Sequence, residues 1–200
     1  QQAEQYYQQA LQLFIEYNDR YTQATVYHQL GIVAGDQGQW QQAEQYYQQA
    51  LQLFIEYNDS SGQSRLYHHL GNLAQEQQQL QRAEQYYQRA LQIDIEHNDR
   101  YGQASSYLGL GVVTRDLRQW QQAGEYYLQA LQIFMEYKDN YHTDMALRNL
   151  ARLWTASNDV NVRASIVKAL GKSVKETEKM LLEMLEKWEK EQAGGGEKKE

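Results

Sequence analysis

The chain of 200 residues contains no cysteine and no proline. Without cysteine there is no disulfide framework, no thiolate nucleophile and no Cys-built metal site, and a reducing, cytoplasmic setting is expected. Without proline nothing along the chain forces a helix to stop. No run of about 18 apolar residues occurs, so no membrane span is expected. Positive charge is in deficit as well. A net charge of -7 argues against a nucleic-acid partner, which needs a basic face. No charged-then-apolar leader follows Gln1, and a start without Met inside a repeat suggests a piece of a longer protein.

What the chain has instead is glutamine, 17 tyrosines and a text that repeats. Residues 1–19 read QQAEQYYQQALQLFIEYND, and residues 41–59 repeat them letter for letter. The block returns at Gln81 as QRAEQYYQRALQIDIEHND and at Gln121 as QQAGEYYLQALQIFMEYKD, a spacing of 40 each time. A period between 20 and 50 residues marks stacked supersecondary units. Inside the block, Ala43, Tyr46, Tyr47, Ala50, Leu51, Phe54 and Tyr57 fall at steps of three and four, as in a helix with one broad buried face. Between blocks, Ala24, Tyr27, Leu30, Gly31 and Ala34 do the same, so each unit is two helices.

The joints are written in the sequence too. Asn18-Asp19, Asn58-Asp59, Asn98-Asp99 and Lys138-Asp139 separate a long helix from a shorter one, Asn closing the first and Asp capping the second. Gly38, and in its place Gln78 and Arg118, ends the shorter helix. Gly31, Gly71 and Gly111 recur in mid-helix, where each costs roughly 1 kcal/mol against Ala. Three such costs in register require a packing reason. The expected one is a close crossing against Ala43, Ala83 and Ala123 of the next helix, and at the fourth occurrence Ala151 takes the place of the glycine.

The order Tyr27, Leu30, Gly31, Ala34, Ala43, Tyr47, Ala50 resembles the tetratricopeptide repeat. Tyr67, Leu70, Gly71, Ala74, Ala83, Tyr87, Ala90 carry it again, as do Tyr107, Leu110, Gly111, Thr114, Ala123, Tyr127, Ala130. The second aromatic of the first helix is small here, and the usual proline is replaced by extra helical residues. Repeats of this length resemble those of kinesin light chains and of large bacterial multidomain signalling proteins. The resemblance implies an all-α, right-handed superhelical solenoid of antiparallel helix pairs. Its parts are a half repeat over 1–19, repeats over 20–59, 60–99 and 100–139, and a final first-type helix over 140–157. Capping helices over 158–192 and a flexible tail over 193–200 complete it.

The resemblance also implies that the first helix of each pair (A) lines a concave face and the second (B) lies outside. On that geometry the unchanged block is the packing helix, and the varied text between copies is the wall a partner meets. The candidate contacts are Thr25, His28, Gln29 and Ile32, then Arg65, His68, His69, Asn72 and Glu76. Leu108, Val112 and Arg115 follow in the third unit, and Arg148, Asn149 and Arg152 in the last. Asp36 and Asp116 share that wall, and forks of Arg, His and Asn suit a peptide's backbone and carboxylates.

Catalytic constellations are not found. His28, His68 and His69 bring imidazoles together, but a metal site needs three or four convergent ligands, and no Cys or HExxH motif joins them. Glu16, Glu56, Glu96 and Glu136 stand a full repeat apart, too far to converge on one bond. No phosphate-binding glycine loop or nucleophile elbow appears. The expected function is a non-catalytic protein- or peptide-binding module without cofactor or metal, the C-terminal recognition or sensor part of a larger bacterial signalling or defence protein. The alternative is an oligomerisation scaffold, joining copies through the cap helix or the convex ridge.

Two further features carry expectations. Asp94 stands where Phe14, Phe54 and Phe134 stand, so if buried it needs a partner, Arg100 or Arg89, and its unit is expected to be looser. Beyond Trp154, the residues Val162, Ile166, Val167 and Leu170 spell a short helix ended by Gly171, and Ser173 with Glu176 forms a capping box. The last helix steps through Val174, Thr177, Leu181, Met184 and Trp188, a face that suits a cap or a short coiled coil. With four Lys against six Glu it does not suit DNA.

Overall fold

The computed structural model describes residues 2–195, and among these the chain is entirely helical. The helices are α1 (Gln2–Glu16), α2 (Arg20–Asp36), α3 (Trp40–Glu56), α4 (Ser60–Glu76), α5 (Leu80–Glu96), α6 (Arg100–Asp116), α7 (Trp120–Glu136), α8 (Asn140–Ala156), α9 (Val160–Leu170) and α10 (Val174–Gly195). The expected alternation of long and short helices is not what forms. α2 to α8 each span 17 residues.

The reason lies in the joints. Every one from α1 to α8 turns on a residue with positive φ. Asn18, Asn58, Asn98 and Lys138 follow the B helices, at 53–57°; Gly38 (72°), Gln78 (59°) and Arg118 (61°) follow the A helices. One left-handed residue reverses the chain after each helix, so the 40-residue period divides into equal halves. The aspartates cap as expected. Asp19, Asp59, Asp99 and Asp139 accept from the backbone N–H of Thr22, Gly62, Gly102 and His142, at 2.9–3.1 Å. Gln23, Gln63 and Gln103 reach back to the carbonyls of Phe14, Phe54 and Asp94 at 2.9–3.2 Å. The same carbonyls accept from the backbone N–H of Asp19, Asp59 and Asp99 at 2.8–2.9 Å, so each takes two bonds across its joint.

The chain divides into two compact units, residues 1–109 and 110–200. In the first, α2 pairs with α3 and α4 with α5, while α3 also packs on α4. Its core holds Ala24, Ala43, Tyr47, Ala50, Phe54, Leu66 and Leu70. In the second, α7 packs on α8 and α9, and α10 lies on α8 and α9 over buried Leu153, Ile166 and Leu181.

The mid-helix glycines meet something other than the alanines expected opposite them. A Cβ added to Gly31, Gly71 or Gly111 would fall 2.4, 2.8 or 2.5 Å from a ring carbon of Tyr47, Tyr87 or Tyr127. The glycine therefore makes room for an aromatic ring, not for a neighbouring backbone. Ala43, Ala83 and Ala123 are themselves fully buried.

The closing helices follow the sequence closely. α9 ends at left-handed Gly171 (φ 62°), and the Ser173 and Glu176 side chains exchange bonds with each other's backbone N–H at 3.3 and 2.9 Å. α10 turns its apolar edge inward: Thr177 and Leu181 are fully buried, and the Arg152 guanidinium sits 4.6 Å over the Trp188 ring. Of the segment read as a flexible tail, residues 193–195 continue α10, and 196–200 lie outside the described residues. No described helix is long and apolar enough to cross a membrane.

Candidate partner-binding site

The A helices α2 and α4 touch directly in the first unit. Their meeting is built from rings. His69 stacks on Tyr47 with centroids 5.3 Å apart at 17°, and His28 lies 4.8 Å from His69. Burial pushes His28 and His69 down to about 4, helped by a neighbouring imidazole and by the Arg65 charge. Both are neutral imidazoles at neutral pH. The buried Nε2 of His28 has no hydrogen-bond partner among the described residues.

His68 faces a different group. Its Nε2 lies 2.9 Å from the Ser106 hydroxyl, and burial pushes it down to about 4. The Ser106 hydroxyl donates to Asp94 at 2.9 Å, and the Ser64 hydroxyl donates to the other carboxylate oxygen at 2.5 Å. Asp94 is therefore buried, as the sequence allowed, but hydroxyls from α4 and α6 hold it where Arg100 or Arg89 was expected. Burial outweighs those bonds and raises its pKa from the ordinary aspartate value. Ser, His and Asp meet here without the order of a catalytic triad. The carboxylate binds the serine instead of orienting the imidazole, and Ser106 is fully buried. The cluster is a satisfied polar core.

The other candidates divide by exposure. Thr25, Arg65, Asn72 and Glu76 are exposed, and Gln29, Ile32, His69 and Val112 are half-buried. His28, Leu108 and Asn149 are buried, so they shape a wall and do not meet a partner directly. Several cations are engaged within the chain. Arg115 binds Asp116 at 2.8 Å and reaches Asn149 at 3.4 Å, Arg148 donates to the Asp144 carbonyl at 3.2 Å, and Arg152 covers Trp188. Arg65 donates to the Ser61 carbonyl at 3.4 Å. Of the glutamate ladder, Glu56 pairs with Arg20 at 2.7 Å.

Between the ends of α2 and α4 lies a cavity of about 320 Å³. Asp36, His69, Asn72 and Glu76 line it together with Tyr47, Trp40 and Gly35. The last three were not among the expected contacts. Tyr47 belongs to the unchanged block, but Gly35 carried a signal, since its counterparts one and two periods on are Gln75 and Arg115. Among the described residues no group of three His, Cys, Asp or Glu is placed to hold a metal ion.

The family model described as the tetratricopeptide repeat matches residues 1–56 and 22–96. Residues 1–96 carry tetratricopeptide repeats. The fold of the chain is shared with the crystal structure of BtubC (BKLC) from P. vanneervenii, at TM-score 0.71 and 18% identity, over 96% of this chain and 86% of that one. The crystal structure of the apo form of RapI matches at TM-score 0.73 and 21% identity, over 82% of this chain and 60% of that one. None of the curated proteins compared with the chain matches it. Tetratricopeptide repeats are protein-interaction modules, and the chain is a protein-binding repeat module of that kind.

Proposed function

We propose that the chain is the recognition part of a larger bacterial signalling or defence protein in the cytoplasm, and that it docks an extended or helical protein segment against its A helices. The observation carrying this reading is the cavity between α2 and α4, because most of its lining comes from the varied A-helix text. Residues that differ between units while their neighbours stay fixed give each stretch of wall its own chemistry. Exposed Arg65 stands on the same helix, and Asn72, whose Oδ1 accepts from Tyr87, offers its amide N–H groups at the cavity. Binding energy would come from a few side chains seated in such cavities, not from total area.

Panning a random peptide library on the immobilised chain tests this. A recurring motif on the chain, weakened on the Arg65→Ala/Asn72→Ala double variant, is the expected result. Absence of any motif on the chain would remove the reading.

A further inference from the structure

The cavity between α2 and α4 exists because of one residue. Gly35 offers no side chain where the next unit carries Gln75, and a Cβ added there would find only the Tyr47 hydroxyl, 3.9 Å away. The floor is apolar, formed by Ile32 and Leu73.

Tyr47 gives the cavity an oxygen that no group of the chain occupies among the described residues. The residue is only 5% exposed, yet no described group bonds its hydroxyl. Its counterpart Tyr87 donates to Asn72 Oδ1 at 2.5 Å and lies 3.3 Å from Gln75 Oε1. The sequence accounts for the difference: Ile32 and Gly35 stand in the first repeat where Asn72 and Gln75 stand in the second. The Tyr47 ring is buried while its hydroxyl opens into the cavity, so a ligand's N–H can reach that oxygen without displacing a bond inside the chain.

The charge around the mouth has one sign. The exposed carboxylates of Asp36 and Glu76 lie on the rim, and the Asp36 charge reaches the Tyr47 phenol. Both residues end their helices, so two negative helix C-termini add to the same field. Trp40, 38% exposed, supplies an indole wall. No lysine or arginine lines the cavity, and the cation whose field reaches His69 is Arg65 on α4.

We propose that this cavity is a subsite for one basic side chain, lysine or arginine, of a bound peptide. The aliphatic stem lies on Ile32 and Leu73, and the cation sits between Asp36 and Glu76 beside the Trp40 ring. One of its N–H groups donates to the Tyr47 hydroxyl oxygen. The inference rests on the peptide-binding reading above and gives it a preference opposite to the carboxylate capture expected from the arginines.

The test repeats the library selection on the full chain, on Gly35→Gln and on Asp36→Asn/Glu76→Gln. Gln is the residue that the second repeat carries at the position of Gly35, and both carboxylates are exposed, so these variants keep the fold, which circular dichroism checks. A motif with one strongly enriched Lys or Arg is expected on the chain. Each variant should bind the selected peptide at least tenfold more weakly. A motif without a basic residue, or one whose affinity ignores both variants, overturns the subsite and leaves peptide binding intact. A library that yields no motif overturns peptide binding itself.

Discussion

The Tyr87 ring lies over Gly71 so closely that an added Cβ would fall 2.8 Å from its Cε1. Gly71→Ala gains roughly 1 kcal/mol of helix propensity and loses about 1–3 kcal/mol to overpacking against a ring buried on all sides. The expected net is a loss of about 1 kcal/mol. Gly35→Ala is the control, since its new methyl group meets the Tyr47 hydroxyl at 3.9 Å, ordinary contact distance. It should gain about 0.5–1 kcal/mol. Urea midpoints that move in opposite directions confirm the pair; equal shifts would mean that the glycines do not seat the rings.

The left-handed joints offer a second measurement. Gln78 (φ 59°) and Arg118 (φ 61°) hold a conformation that costs a side chain roughly 1–2 kcal/mol and costs glycine little, and Gly38 already sits at the equivalent place. Glycine's larger unfolded-state entropy takes back about 0.5–1 kcal/mol. Gln78→Gly and Arg118→Gly should therefore each raise the urea midpoint, by roughly 0.5 kcal/mol of stability. A lower midpoint for both would show that the side chains there do more than tolerate the turn.

Most of the fold was legible because the sequence repeats its own punctuation. Asn58-Asp59 names both the residue that reverses the chain and the residue that caps the next helix, and the structure uses them so. Helix length was misread because apolar spacing shows where a helix is buried, while the left-handed residue decides where it ends. The glycines announced a tight contact without naming the partner. Ala43 is closer in sequence to Gly31 than Tyr47 is, but side-chain direction puts the Tyr47 ring there. The site was half legible for the same kind of reason. His69 and Asn72 stood out by varying, Asp36 and Glu76 hold a position that is acidic again at Asp116, and Tyr47 is spelled like every other tyrosine of its register. Only its surroundings, Ile32 and Gly35, make it different. The partner of Asp94 was hidden because serine is a common surface residue, and nothing in its spelling marks Ser64 or Ser106 as buried.

The buried titratable groups of the first unit predict a pH dependence whose sign can be worked out group by group. His28, His68 and His69 sit at about 4 in the folded chain, below the roughly 6.5 of an unfolded one. The unfolded chain then takes up protons first, so stability falls as pH drops from about 6.5 to about 4, with a limit of about 1.4 kcal/mol per pH unit for each imidazole. Asp94 acts in the opposite sense. Its folded pKa is raised by burial and by the Asp99 charge, against the bonds from Ser64 and Ser106, so its contribution is full below the ordinary aspartate value and is lost as pH rises from there through the raised one. Three imidazoles outweigh one carboxylate, and acidification through that window should lower the urea midpoint. Asp94→Asn keeps the shape and an oxygen for the serines but removes the opposing titration. The variant should be at least as stable as the parent at pH 8, and should lose stability more steeply below pH 6.5. A midpoint that stays level from pH 6.5 to 4 in the parent would show that burial does not hold the three histidines neutral, and an Asn variant with a shallower acid limb would show that the Asp94 carboxyl is not raised.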